Sequence, residues 1–166
     1  MEAAENILNQ FLTFRLGDDV FAIDVLVARE IVDFAEVTHV PQTPDYMIGV
    51  INLRGAVVPV VDMRLKFGMP AAESTRDSCI IVMEVDVDGD ILTVGALADS
   101  VQEVLDLVSS QIEPRPRIGS KLNTDYIKGM GSLGDKFIIL LDINKIFTVD
   151  EIELVQRMND NEGNVE

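Results

Sequence analysis

The chain has 166 residues, 48% of them apolar, with 29 Asp and Glu against 13 Lys and Arg for a formal net charge of −16. Length and apolar content predict a folded chain with its own core, while the charge excludes polyanionic partners such as nucleic acid and anionic lipid, whose binding rests on Lys and Arg. A single histidine, His39, and a single cysteine, Cys79, exclude an intrachain disulfide, a Cys/His zinc site and any nucleophile–base set not built on His39 alone.

Residues 1–5 are acidic and lack the basic segment of a secretory signal. No apolar run reaches the roughly 18 residues of a spanning helix, so a soluble cytoplasmic chain without membrane insertion is expected. Residues 11–16 read as a strand, Gly17-Asp18-Asp19 as a turn and residues 20–25 as a second strand. Residues 44–48 predict one short helical turn with Pro44 at an early position. Residues 79–83 form the continuous apolar run of a buried strand, and Asp88-Gly89 marks a two-residue hairpin leading to a strand over 91–97. Gly134-Asp135 turns into a strand over 137–141. A terminal helix is predicted over 150–158, where Ile152, Leu154, Val155 and Met158 partly share a face, and residues 159–166 read as a frayed tail. Short strands separated by turns point to an all-β fold of small barrels or a sandwich.

The chain also contains itself twice. Glu30 to Ala35 lies over Glu103 to Val108 at an offset of 73, acid on acid and apolar on apolar, and the same offset carries Pro41 onto Pro114. Further on the offset is 80, and Tyr46, Gly49, Leu53, Asp62 and Phe67 fall on Tyr126, Gly129, Leu133, Asp142 and Phe147. Two related half-units are therefore predicted, over about 10–75 and 76–150, with 151–166 outside them.

Residues capable of chemistry are sparse. Asp86, Asp88 and Asp90 alternate as in a calcium loop, but Ile91 and Leu97 stand where that loop needs Gly and Glu. Gly129 to Gly134 matches GxGxxG, yet it leads into a strand instead of opening a helix, and reads as a glycine-rich bend. Cys79 reads as an inert core thiol and His39 as a surface residue. No catalytic or metal-binding residue and no cofactor are predicted. Arg54 stands apart as the only charge between Met47 and Val61. It has two ordinary fates: on the tip of a turn in water, or partly buried and paired. The charges are uneven too. Residues 78–113 hold eight acids and no Lys or Arg, and residues 114–136 hold five basic residues and two acids, a basic loop suited to an acidic partner.

The order Phe14-Arg-Leu-Gly17, Ile23-Asp24, Arg29-Glu30-Ile31, Val40-Pro41, Gly49-Val-Ile-Asn-Leu-Arg54-Gly55 and Pro59-Val-Val-Asp62 resembles the CheW-type chemotaxis coupling proteins. Val101-Gln-Glu103-Val104-Leu105, Ile112-Glu-Pro114, Tyr126-Ile-Lys-Gly129 and Leu140-Leu-Asp142 extend the resemblance over about residues 10–150. It implies two SH3-like five-stranded β-barrels in tandem, with strands exchanged between the halves and few short helices. It further implies a non-enzymatic adaptor between methyl-accepting chemotaxis receptors and the regulatory domain of the histidine kinase CheA, recruited to receptor arrays at the inner membrane face. By position Glu30 and Arg54 match the family's acid–base pair, and Ala28, Val101 and Val104 match positions at a receptor-binding groove between the barrels. The resemblance names no kinase-contact residues. A coupling protein for pili or biofilm remains the nearest alternative, and a small acidic hydrolase a more distant one.

Overall fold

A computed structural model describes residues 8–33, 37–38, 45–69, 76–87, 89–113, 126–133, 135–146, 153 and 157. Among the described residues, eleven strands and the short helix α1 follow in order: β1 (Leu8–Leu16), β2 (Asp19–Asp24), β3 (Ala28–Asp33), β4 (Met47–Leu53), β5 (Ala56–Asp62), α1 (Met63–Lys66), β6 (Cys79–Val87), β7 (Asp90–Ala98), β8 (Ser100–Val108), β9 (Ile112–Glu113), β10 (Ile127–Leu133) and β11 (Lys136–Leu141). They form two sheets, ordered β8-β1-β2-β11-β10-β9 and β3-β6-β7-β5-β4. Each sheet thus takes one hairpin from one half of the chain and its remaining strands from the other. These are two SH3-like barrels with exchanged strands, as the resemblance implies. The first sheet has a sixth member only because β9 is a two-residue strand. Its counterpart in the second barrel is the isolated bridge between Thr38 and Val50.

The repeat reappears in the hydrogen bonds. Val60 lies opposite Gly95 in the parallel pairing of β5 with β7, and Leu140 opposite Ala22 in that of β11 with β2. Asp62 caps α1 by accepting from the Arg64 amide, while Asp142 caps the 3-10 turn Ile143–Lys145 by accepting from the Asn144 amide. The Asp62 amide donates to the Tyr46 carbonyl at 2.7 Å and the Asp142 amide to that of Tyr126 at 2.8 Å. Both second hairpins carry a register shift at a glycine, Gly49 or Gly129. A Cβ on Gly49 would stand 2.1 Å from the Thr38 carbonyl oxygen, and one on Gly129 2.7 Å from that of Glu113. Close backbone approach therefore requires glycine at both.

Among the described residues, apolar side chains gather in three cores. Phe11, Ala22, Leu107, Ile138 and Leu140 fill the first barrel, and Ile51, Val58, Val60, Ile80 and Val82 the second. The third and largest lies between the barrels, with Leu12, Phe14, Leu16, Ile81, Met83 and Val94 among its members. This explains the unbroken apolar run of β6: Ile80 and Val82 point into a barrel, while Cys79, Ile81 and Met83 point into the shared core. Cys79 is buried, and burial pushes its thiol up, as an inert core thiol requires.

Several sequence expectations are corrected. Residues 47–48 belong to β4, where Met47 is buried opposite Val61, and are not helical. The short helix lies instead at α1. Residues 129–133 belong to β10 and do not form a bend before a strand; their glycines pack against neighbouring chain. Of the predicted terminal helix only residues 153 and 157 are described, both helical. His39, Asp88, Gly134 and residues 114–125 of the basic loop lie outside the described residues.

Candidate functional site

Arg54 and Gly55 form the two-residue tip of the β4–β5 hairpin, between the paired Leu53 and Ala56. Their φ angles are 51° and 91°, as the twist of a tight hairpin demands. Gly55 adopts this region freely, whereas Arg54 does so at a cost, as the one described non-glycine residue with positive φ. The Asn52 side chain steadies the tip by accepting from the Gly55 amide at 2.9 Å.

From this tip the Arg54 guanidinium reaches Glu30 on the edge strand β3. Nη1 donates to Oε2 at 3.2 Å and Nη2 donates to Oε1, a two-pronged pair. The two fates open to Arg54 are thus combined, for its side chain is 71% exposed and Glu30's 32%, yet the two are paired. The hydrogen bonds and charge of Arg54 hold the Glu30 carboxyl below its ordinary value, and Glu30 in turn raises Arg54. Beside them Arg29 donates to Glu84 at 2.6 Å. Both pairs border a depression of about 560 Å³, floored by Val58 and Val82 of the barrel interior and flanked by the exposed Ile91.

The lining comes from β3 to β7, with the Arg54 tip, and so from one barrel. Ala28, Val101 and Val104 are not in it. Ala28 and Val101 are half-buried against the shared core, Ala28 on β3 opposite Met83 and Val101 on β8 opposite Phe14. Val104 projects from β8, 47% exposed.

A second depression, of about 450 Å³, repeats the first in the other barrel. Gln102 and Glu103 of β8 stand for Arg29 and Glu30, and Lys136, Phe137 and Ile138 of β11 for Ala56, Val57 and Val58. Arg54 has no such counterpart, because the offset of 80 lands on Gly134. Phe137 is instead 56% exposed. The Thr13 hydroxyl, fully buried, donates to the Glu103 carbonyl at 2.8 Å and accepts from its amide at 3.1 Å, where the second barrel pairs Glu30 with Val82. Phe137 and the Arg29–Glu84 pair were not singled out in the sequence, although the two offsets map each depression onto the other.

Among the described residues no three His, Cys, Asp or Glu side chains gather as a metal site, and no helix is long and apolar enough to cross a membrane. Comparison with known proteins gives the site its context. Residues 10–151 match the CheW-like domain family. The chain belongs to this family. The CheW-like chain is 36% identical over 156 residues to the chemotaxis protein CheW of Klebsiella aerogenes, covering 94% of this chain and 92% of that one. It is 34% identical over 141 residues to CheW of Helicobacter pylori, covering 85% and 82%. The crystal structure of the scaffolding protein TtCheW from Thermoanaerobacter tengcongensis superposes with a TM-score of 0.77 at 30% identity, covering 87% of this chain and 96% of that one.

Proposed function

We propose that this CheW-like chain is a non-enzymatic adaptor, coupling methyl-accepting chemotaxis receptors to the histidine kinase CheA in a bacterial chemosensory array. It works in the cytoplasm and is recruited to receptor arrays at the inner membrane face, with no cofactor. Residues 10–150 act as one coupling unit of two halves. The cytoplasmic tip of the receptor docks over Glu30 and Arg54, with Ala28, Val101 and Val104 on the edge strands β3 and β8 contributing apolar contacts. The kinase regulatory domain takes other exposed apolar positions of the barrels.

The observation that carries this reading is the Arg54–Glu30 pair. Hairpin geometry does not require an arginine at that tip, and the left-handed conformation disfavours it. An exposed pair also adds little to stability. Its fixed, two-pronged geometry at the rim of an apolar-floored depression suits recognition of a helical partner, with anchors below and an oriented charge pair at the edge. A pull-down with the receptor signalling tip and the kinase regulatory domain, separately and together, tests the assignment. Capture of each alone and of both in one complex is expected, and capture of neither refutes it.

A further inference from the structure

The barrels meet at two equivalent joints, and the joints are chemically unequal. At each, the turn after the last strand of one barrel reaches the first hairpin of the other. At the first, Arg64 of α1 donates through Nε to Asp99 Oδ1 at 3.1 Å and through Nη2 to Oδ2, and the Gly17 amide donates to that Oδ2 at 2.6 Å. α1 follows β5 of the second barrel, Gly17 lies between β1 and β2 of the first, and Asp99 is the residue at which the chain crosses from β7 to β8. One carboxylate thus gathers three segments from both barrels. The Arg64 side chain is only 16% exposed.

At the second joint Asn144 takes the place of Arg64, and its Oδ1 accepts from the Asp86 amide of β6 at 3.1 Å, on the exposed surface. The offset of 73 puts Leu26 where the first joint has Asp99. Leu26 is 78% exposed, and its amide is held locally by Asp24. A charge-assisted, part-buried hydrogen bond is roughly twice as strong as a neutral one, and an exposed neutral bond opens readily to water. Phe67, the C-terminal cap of α1, also lies between Phe21 and Tyr126 of the other barrel, with ring centroids 5.7 and 4.8 Å away, while its counterpart by the offset of 80, Phe147, lies outside the described residues.

We infer that the barrels pivot about the Arg64–Asp99 joint: that end stays closed in the native protein while the Asn144–Asp86 end opens locally, so the angle between the barrels is held at one end and adjustable at the other.

Amide exchange of the full chain, followed residue by residue by NMR and corrected for intrinsic rates, tests this. The Gly17 amide should exchange only with global unfolding, accelerating with added urea. The Asp86 amide should exchange at least about a hundredfold faster and independently of low urea. Arg64→Gln should accelerate Gly17 about tenfold or more and leave Asp86 unchanged. Moving the charged pair across, with Leu26→Asp and Asn144→Arg together, should slow Asp86 by a similar factor. If Arg64→Gln does not fold, Asp99→Asn, which keeps an acceptor for Gly17, replaces it with the same readout. Equal protection of the two amides in the wild type, or Gly17 protection indifferent to the substitution, overturns the inference.

Discussion

The two depressions are assembled from equivalent strands, yet their rims differ. One carries Arg54 paired with Glu30; the other keeps the acid as Glu103, has a glycine in the sequence at the position matching Arg54, takes its basic side chains from Arg15 and Lys136 instead, and exposes Phe137. The features that repeat across the halves are those backbone packing demands: the glycines at the register shifts and the aspartate caps. Arg54 and Phe137, which do not repeat, sit on the rims, where the fold tolerates many side chains. Within a duplicated fold, divergence at an exposed position therefore points to a task other than folding.

Substitutions can break this contrast in graded fashion. Gly49→Ala should be the most damaging, costing about 3 kcal/mol, because the new methyl meets a backbone oxygen that cannot yield and the residue has φ near 155°. Gly129→Ala, with its contact at 2.7 Å and no positive φ, should cost less, and urea midpoints of the two variants give the order. Thr13→Val should cost about 1–3 kcal/mol, since it strips the partners from the Glu103 amide and carbonyl beside a fully buried side chain. The barrel that already uses Val82 there should lose nothing comparable on Val82→Thr beyond the cost of burying a hydroxyl.

A smaller effect concerns pH. Burial alone would raise the Asp99 carboxyl, but hydrogen bonds from Arg64 and the Gly17 amide, with the charges of Arg64 and Arg15, bring it below its ordinary value. Its ionised form therefore stabilises the fold above the unfolded-state pKa of about 4, and that contribution is lost as pH falls through the lower folded value. Asp62 is raised, chiefly by burial, and acts with the opposite sign, adding stability as pH falls. Comparing Asp99→Asn with wild type isolates the first. The variant's urea midpoint should be lower at pH 7, and the gap should close below about pH 4.

Much of this was legible in the chain. The offsets of 73 and 80 locate the halves and, through them, the matching caps, register shifts and depressions, because packing forces the same residues at the same backbone positions. The exchange of hairpins was not derivable from periodicity and came with the family resemblance, since a strand's apolar pattern does not say which half it pairs with. α1 was missed because four residues carry no periodicity, although Asp62 ahead of it is a cap signal. The Arg54–Glu30 pair spans a separation of 24 residues and the Arg64–Asp99 pair one of 35, distances over which sequence offers no local cue. Arg54 nonetheless announced itself as a lone charge in an apolar stretch.

The most direct measurement is receptor-coupled kinase activity reconstituted with Arg54→Ala and with Glu30→Ala, each checked by circular dichroism. Because the pair is exposed, both variants should keep the wild-type spectrum and urea midpoint, and both should fail to couple kinase to receptors. Normal coupling by both folded variants would contradict the assignment of this pair to the docking surface.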